Sequence, residues 1–333
     1  MIAPPSTTRP SEVASEPAGP KGPLHGGSRL ADQLFRWLCL ASGLLVLVVL
    51  GLILVSTTNE AMPAFRHEGL RFLTSDKWIP GQGRFGALAF IYGTLVVSAI
   101  ALVISVPVSI GLALFITELA PKQLRTPVVY LIDLLAAIPS VVYGLWGILV
   151  FGPAIARQYD QISRAFNGIP VLGNVFHGNS QRSFMTAGII LAVMITPIVT
   201  SIAKEVFATV PRDQKEAALG LGATRFEMIR GAVFPYSRTG LVGAVMLGLG
   251  RAMGETIAVA LVIGSTPAIT SHLFSQGDAM AAVVANEFGE STDIHRAALI
   301  GLGVVLFVMT VIVNLLARQV TSRADRRLAG GKR

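Results

Sequence analysis

Six long apolar stretches constrain this chain more than any other feature of its sequence. A hydrocarbon layer about 30 Å thick is crossed by roughly 20 helical residues that rise 1.5 Å each. The stretches match or exceed that length and cover residues 36–56, 87–117, 127–151, 184–203, 239–265 and 297–317. We therefore predict an all-α polytopic membrane protein with six transmembrane helices, surrounded by membrane lipid.

The composition excludes an ordinary soluble domain. Only 14% of the 333 residues are charged and 52% are hydrophobic, whereas soluble domains carry roughly 25% charged residues. A charge in hydrocarbon costs about 2.5–3.5 kcal/mol, which explains the deficit. Because Cys39 is the single cysteine, no internal disulfide can form. We interpret the net charge of +8 as a topology signal and expect no nucleic-acid partner.

The basic residues predict the direction of the helices. Most of the 27 lysines and arginines precede the first stretch, follow the sixth, or separate the second from the third and the fourth from the fifth. Basic residues favour the cytoplasmic side, so both termini and the 204–238 segment are expected inside. We predict a disordered cytoplasmic tail at 1–34, a membrane domain at 35–320 and a basic cytoplasmic tail at 321–333.

A polar segment at 205–235 interrupts the apolar pattern. Pro211 suits the first turn of a helix, and Gly222 permits the tight turn that ends it. Thr224 and Glu227 have the spacing of a capping box, which predicts that a second helix begins there. The segment is therefore predicted to form a short helix, a glycine turn and a second helix. The alternative is an ordinary amphipathic loop.

The same segment resembles the loop of bacterial ATP-binding-cassette (ABC) importer permeases, whose pattern is E-A-A-x3-G-x9-I-x-L-P. The matching residues are Glu216, Ala217, Ala218, Gly222 and Pro235, while Ala232 and Phe234 replace the Ile and Leu. The resemblance implies a cytoplasmic coupling helix between spans four and five that docks on an ATPase. The chain lacks the sequence G-x-x-x-x-G-K-[ST] of a phosphate-binding loop. We therefore expect no enzyme activity and no bound cofactor, with ATP and Mg used by the partner ATPase.

Two further strings resemble the phosphate-specific transport permease family of the PstC type. Residues 136–147 read AAIPSVVYGLWG, and residues 248–256 read GLGRAMGET. The resemblance spans about residues 30–325 and implies a type I ABC importer permease fold. It also implies a second permease of the PstA type, a PstB-type ATPase dimer and an extracytoplasmic phosphate-binding protein. Such a complex would import phosphate through the bacterial plasma membrane at the expense of ATP.

Three charged residues lie well inside the predicted spans: Asp133, Arg251 and Glu255. Intramembrane charges are rare and commonly line a pathway or pair with one another. Arg251 and Glu255 are four residues apart, so we expect them to share a helix face and pair. The planar donor fork of Arg251 also suits a phosphate anion. A purely structural pair, with Asp133 bonded to a nearby helix, is the alternative.

The remaining candidates surround Pro139, which removes a backbone donor from the third span and frees a carbonyl for another partner. Ser140 and Tyr143 carry hydroxyls that serve either the translocation pathway or helix packing. The five histidines are scattered along the sequence without metal-ligand spacing, so we expect no metal site.

The sequence is also compatible with three other functions. The permease could carry another oxyanion, such as molybdate or sulfate, because the 205–235 loop does not distinguish them. The chain could be a secondary transporter or channel that needs no ATPase, although the loop argues against this reading. It could also act as a phosphate-sensing scaffold that transports little.

Overall fold

The computed structural model describes residues 29–330, with side chains described for all of these except Arg29, Pro170 and 320–330. Most of the predicted N-terminal tail, residues 1–28, lies outside the described residues, as do residues 331–333 of the predicted C-terminal tail. The first helix already includes residues 29–34, and the last helix continues to Gly330.

Fourteen α-helices make up most of the described chain. They are α1 Arg29–Glu68, α2 Arg71–Thr74, α3 Leu88–Leu114, α4 Lys122–Ala137, α5 Ser140–Trp146, α6 Gly152–Phe166, α7 Pro170–Val175, α8 Phe184–Ala208, α9 Arg212–Gly220, α10 Arg225–Met228, α11 Phe234–Met253, α12 Ile257–Ile263, α13 Met280–Glu287 and α14 Asp293–Gly330. Short π-helical segments at Phe115–Leu119, Gly147–Phe151 and Ile229–Val233 continue α3, join α5 to α6 and join α10 to α11. Two-residue strands β1 (Trp78–Ile79) and β2 (Arg84–Phe85) pair antiparallel, and 3₁₀ turns occupy Pro80–Gln82 and Phe288–Glu290.

The chain divides into two units within α1, at Ile53–Leu54. In the first unit, the described residues 29–53 form one helix whose leucines, valines and isoleucines are exposed. Such a helix, apolar on all sides, suits a lipid environment. The second unit contains the other helices and the buried core.

Six helices are long and apolar enough to cross a membrane, as the sequence predicts. Within the described residues they are Leu30–Glu68, Leu88–Leu119, Ser140–Phe166, Phe184–Ala208, Arg225–Met253 and Asp293–Gln319. The predicted count is confirmed, but several bounds are wrong, and the largest errors lie in the third and fifth spans. The third span begins at Ser140 and not at 127, and the fifth helix ends at Met253 and not at 265.

A proline explains the error in the third span. Pro139 disfavours helical backbone at the residue before it, and Ile138 adopts an extended conformation with ψ 127°. The apolar sequence therefore continues through 138–139 while the helix does not. Residues 152–166, which follow the predicted third span, form α6 and lengthen that span.

Two parallel helices carry the core of the second unit. A Cβ atom added to Gly188 of α8 would lie 2.4 Å from the Ile100 side chain of α3. Further along both helices, the Ser109 hydroxyl donates to the Thr196 carbonyl at 3.1 Å. A buried cluster that includes Val97, Ile195 and Val262 joins α3, α8 and α12. α3 and α8 thus form the scaffold against which α5 and α12 pack.

Candidate functional site

The two strings that resemble phosphate permeases come together in the fold. Residues 136–147 end in α5, and residues 248–256 lie at the end of α11 and lead into α12. A Cβ atom at Gly144 would lie only 3.0 Å from the Cα atom of Ala258. The glycine therefore permits close contact between α5 and α12, and the two strings form one region.

Arg251 and Glu255 approach one another in this region. Nη2 of Arg251 lies 3.8 Å from Oε2 of Glu255, and their side chains are 50% and 6% exposed. The predicted pairing is confirmed, but the distance exceeds that of a hydrogen bond. The guanidinium therefore keeps donors that can serve another anion.

Arg251 and Glu255 do not share one continuous helix, so the prediction that they lie on one helix face is wrong. α11 ends at Met253, and Glu255 lies in the turn before α12. Its Oε1 accepts a hydrogen bond from the Ala258 backbone N–H at 3.3 Å. This bond and the nearby Arg251 compensate for the burial of the carboxylate. Glu255 thus helps to fix the turn that brings Arg251 beside α12.

Tyr143 closes the helix break at Pro139. Its hydroxyl donates to the Leu135 carbonyl at 2.8 Å, from α5 back to the last turn of α4. Pro139 has no N–H to offer this carbonyl, so the phenol replaces a lost backbone bond. Ser140 begins α5 and is partly buried. The geometry around Tyr143 is that of a helix junction.

Asp133 lies in a different part of the molecule. It is an exposed residue of α4 at a narrow cleft, which it lines together with Ile132, Thr200 and Lys204. Lys204 Nζ lies 3.3 Å from Glu205 Oε1. Among the described residues, the structure therefore groups Asp133 with the end of α8 and not with Arg251.

The segment between α8 and α11 folds as the sequence predicts. Gly222 has φ +86° and follows α9 in a Schellman turn, with Gly222 N–H bonded to Leu219 O at 3.0 Å and Ala223 N–H to Ala218 O at 3.2 Å. Thr224 and Glu227 form the predicted capping box at the start of α10. α9 begins after Pro211, one residue later than the sequence suggests.

This turn presents apolar side chains to solvent. Leu221 is 90% exposed and Phe226 is 69% exposed, beside the exposed Glu216 and Ala217 of α9. Ala218, on the opposite side of α9, packs on the cluster that contains Phe207 and Val233. Neither residue belongs to the E-A-A-x3-G-x9-I-x-L-P pattern, so the motif did not point to them.

Pro235 follows the π-helical segment Ile229–Val233 and lies in the first turn of α11. It is exposed. Met228 and Ile229 are buried in the same apolar cluster as Phe207. The proline of the loop pattern thus lies where the segment rejoins the long helix.

An ion pair joins α9 to the end of the second span. Lys215 Nζ lies 2.5 Å from Glu118 Oε1, and the two side chains are only 19% and 8% exposed. Glu118 belongs to the π-helical end of α3. No pattern in the sequence predicts this contact, since the two residues are distant along the chain and each alone resembles a solvated charge.

A buried carboxyl lies near the opposite end of α3. Asp278 precedes α13 and is 3% exposed, and its Oδ1 accepts from the Ala279 N–H at 2.8 Å. Burial raises the pKa of this carboxyl to about 7, and the negative charge of Glu287 adds to the rise, while the Ala279 hydrogen bond opposes it. Glu287 itself accepts from Trp78 Nε1 and contacts His295 Nε2, each at 2.9 Å.

Comparisons with a family model and with individual proteins agree on the family to which this chain is similar. The family described as "Binding-protein-dependent transport system inner membrane component" matches residues 105–328. The phosphate transport system permease protein PstC of Mesorhizobium japonicum is 44% identical over 301 residues, covering 90% of this chain and 92% of that protein. PstC of Xylella fastidiosa strain Temecula1 is 41% identical over 299 residues, covering 89% and 92%. PstC 2 of Mycobacterium tuberculosis is 39% identical over 312 residues, covering 92% and 94%.

A solved structure shares the fold. It is a bacterial alginate ABC transporter in complex with a periplasmic protein that carries an alginate pentasaccharide. One of its chains is 18% identical, with a TM-score of 0.54, and the match covers 90% of this chain and 99% of that chain. The predicted fold class, a polytopic helical permease of the ABC importer type, is therefore confirmed.

Proposed function

The chain belongs to the PstC-type phosphate transport system permeases, within the binding-protein-dependent inner membrane components, and we propose that it is the permease subunit of an ATP-driven phosphate importer. The main observation behind this proposal is that two segments, residues 136–147 and 248–256, come together in the fold. Both resemble phosphate permeases, and the half-exposed intramembrane Arg251 lies in this region. The identity of 39–44% with the PstC proteins of three bacteria supports phosphate as the substrate.

Arg251 is the proposed contact for phosphate. Its guanidinium is half exposed and lies 3.8 Å from the only carboxylate paired with it in the described chain. A planar fork of donors can bind two phosphate oxygens at once. Glu255 lowers the cost of placing this cation within the membrane, and weakens anion retention, which suits a site that must also release its cargo.

The α9–α10 turn is the proposed docking surface for the ATPase. Leu221 and Phe226 project from it, and an exposed apolar patch of this kind marks an interaction site. Glu216 and Gly222 place the turn in the loop pattern of ABC importer permeases. We propose that the chain itself binds no cofactor and that ATP and Mg bind to a PstB-type ATPase dimer.

The remaining partners follow from the same proposal. A PstA-type permease would form the second half of the pore, and an extracytoplasmic binding protein would deliver phosphate. Both termini and α9 would face the cytoplasm of a bacterial cell, with the chain embedded in its plasma membrane. The distribution of lysine and arginine supports this orientation.

Uptake of radiolabelled phosphate tests the function directly. The chain is expressed with its partner subunits in a bacterium that lacks its own high-affinity phosphate importers. We expect uptake that ceases when ATP is depleted and that excess unlabelled phosphate, but not molybdate or sulfate, suppresses. Suppression by sulfate or molybdate would assign another oxyanion, and uptake without ATP would exclude the importer mechanism.

Labelling of single cysteines tests the orientation. Cys39 is the only native cysteine, so Cys39→Ser provides the background for one cysteine at 220 and another at 171. A membrane-impermeant maleimide should label intact cells at 171 and should label 220 only after the membrane is opened. Labelling of residue 220 in intact cells contradicts the proposed orientation.

A further inference from the structure

Two histidines that are distant in the sequence meet at one cavity. An open, mostly polar cavity of about 410 Å³ is lined by Asn167, Ile169, Gly173, Asn174, His177 and His272. The imidazole rings of His177 and His272 have centroids 5.1 Å apart and planes inclined at 56°. None of these six residues belongs to the proposed transport site at Arg251.

One hydrogen bond selects the tautomer of the neutral His272 ring. Its Nδ1 lies 2.6 Å from the Asn174 backbone carbonyl oxygen. Because a carbonyl oxygen only accepts, Nδ1 of the neutral ring carries the proton, and the lone pair of Nε2 can then bind an ion. Metal-binding histidines commonly have this arrangement, in which a carbonyl fixes the ring through the nitrogen that does not bind metal.

The separation of the rings fits a shared ion. With Zn–N bonds of about 2.0–2.1 Å at a tetrahedral angle, two imidazoles on one ion have ring centroids about 5 Å apart. The observed separation of 5.1 Å agrees with this geometry. The side-chain oxygens of Asn167 and Asn174 and solvent water are available for the remaining positions. Both asparagines and His177 are exposed, so an ion has an entry path.

Backbone hydrogen bonds hold the two histidine segments together without a metal. Leu273 N–H donates to Val175 O at 2.9 Å, and Ser180 N–H donates to Phe274 O at 3.1 Å. These bonds lie on either side of His177 in one segment and directly after His272 in the other. The ligands therefore need little rearrangement on binding, which reduces the entropic cost.

We propose that His177 and His272 bind a divalent first-row transition-metal ion, with zinc as the reference ion. Imidazole nitrogen suits zinc, copper and nickel, whereas calcium and magnesium prefer oxygen ligands. Only two protein imidazoles contribute, and among the described residues no group of three or more His, Cys, Asp or Glu side chains could hold a metal. The site is therefore open and weaker than a closed structural zinc site. A bound ion would join the end of α7 to the 264–279 segment.

Zinc titration of the purified complex tests this site. The protein carries no polyhistidine tag, is stripped with a chelator, and is titrated with zinc against a chromophoric competitor. The variants are His177→Ala and His272→Asn, and the control is His67→Ala, an exposed histidine beside Glu68. Wild type and control should bind one more equivalent per complex than either variant, or bind it at least about tenfold more tightly.

A second measurement guards against misfolding. Zinc should raise the thermal unfolding temperature of wild type and of His67→Ala, because a ligand that binds only the folded state stabilises it. The rise should be lost in both site variants, while their unfolding temperatures without zinc stay close to wild type. Equal zinc binding by wild type and both folded variants overturns the proposal, as does magnesium binding of equal strength at the same site.

Discussion

Lys215 of α9 and Glu118 at the end of α3 form an ion pair of 2.5 Å that is largely shielded from solvent. α9 otherwise rests on the apolar cluster through Ala218, so this pair is a polar link between the proposed docking helix and the second span. α3 in turn packs along α8 through Ile100 and Ser109. A displacement of α9 would therefore act on the paired helices of the core.

Reversal of one charge in this pair should uncouple transport. Lys215→Glu places two carboxylates together in a shielded position, and loss of one partner of a buried pair costs about 3–5 kcal/mol. We expect phosphate uptake to fall strongly in Lys215→Glu and in Glu118→Lys, and to recover in the double exchange. Uptake assays at matched expression measure this. Three equally impaired variants would show that the side chains, and not their attraction, matter.

The turn after α9 offers a matched glycine comparison. Gly222 has φ +86°, whereas Gly220 lies in the helix, and a Cβ atom at either position meets no neighbour within 4 Å. Gly222→Ala should destabilise the turn by about 1 kcal/mol, because a left-handed backbone strains an L-residue. Gly220→Ala should be neutral or slightly stabilising. Limited proteolysis of the 211–231 loop should be faster only in Gly222→Ala, and equal rates would contradict the role of the turn.

The exposed Leu221 of the same turn should be required for ATPase binding. Leu221→Asp puts a charge into the proposed interface, where an unpaired carboxylate carries a large desolvation cost. We expect the ATPase to be lost on co-purification while the permease still inserts. Val171→Asp in α7 is the control, since Val171 is also an exposed aliphatic residue but lies outside the proposed interface. Retention of the ATPase by Leu221→Asp would place the docking surface elsewhere.

The raised pKa of Asp278 should make the stability of the folded protein depend on pH. Its pKa is raised to about 7 by burial and by Glu287, so the folded state binds a proton more tightly than the unfolded state does. The resulting stabilisation is complete below the unfolded pKa near 4 and is lost as pH rises through 7. Asp278→Asn removes this dependence. The variant should therefore gain in unfolding temperature relative to wild type, by roughly a few degrees, between pH 6 and pH 8.

The difference between the two proteins is the relevant quantity, because contributions that are common to both proteins cancel in it. Thermal unfolding in detergent across pH 5.5 to 8.5 measures it. Parallel profiles of wild type and Asp278→Asn would show that the buried carboxyl does not change its protonation on unfolding.

The sequence predicted those features that depend on local chemistry. Residue spacing alone was sufficient for the number of spans and for the capping box at Thr224, both of which the structure confirms. It failed at the ends of the third and fifth spans, because the apolar pattern continues through Pro139 and Gly254 while the backbone does not. Hydropathy reports burial in lipid and not backbone continuity.

The contacts that sequence could not reveal are those between distant segments. Glu118 and Lys215, or His177 and His272, become neighbours only when separate helices are packed, and each residue alone looks like an ordinary surface group. The Arg251–Glu255 pair was predicted from its spacing. The spacing did not show that α11 ends at Met253, so that the pair lies across the end of a helix.

The last prediction concerns Arg251 itself. In Arg251→Gln, the buried Glu255 keeps its charge near the proposed pathway and loses its counter-ion, so assembly and phosphate uptake should both suffer. The double variant Arg251→Gln with Glu255→Gln removes both charges and retains hydrogen-bonding groups. It should therefore assemble normally. If Arg251 binds phosphate, the double variant still lacks a charged donor worth about 1.5–3 kcal/mol, and uptake should remain reduced by roughly 10- to 100-fold. Uptake at matched expression, with ATPase co-purification as the measure of assembly, distinguishes the outcomes. Near-normal uptake by the double variant would assign the pair a structural role alone, because the pathway would then work without its cation.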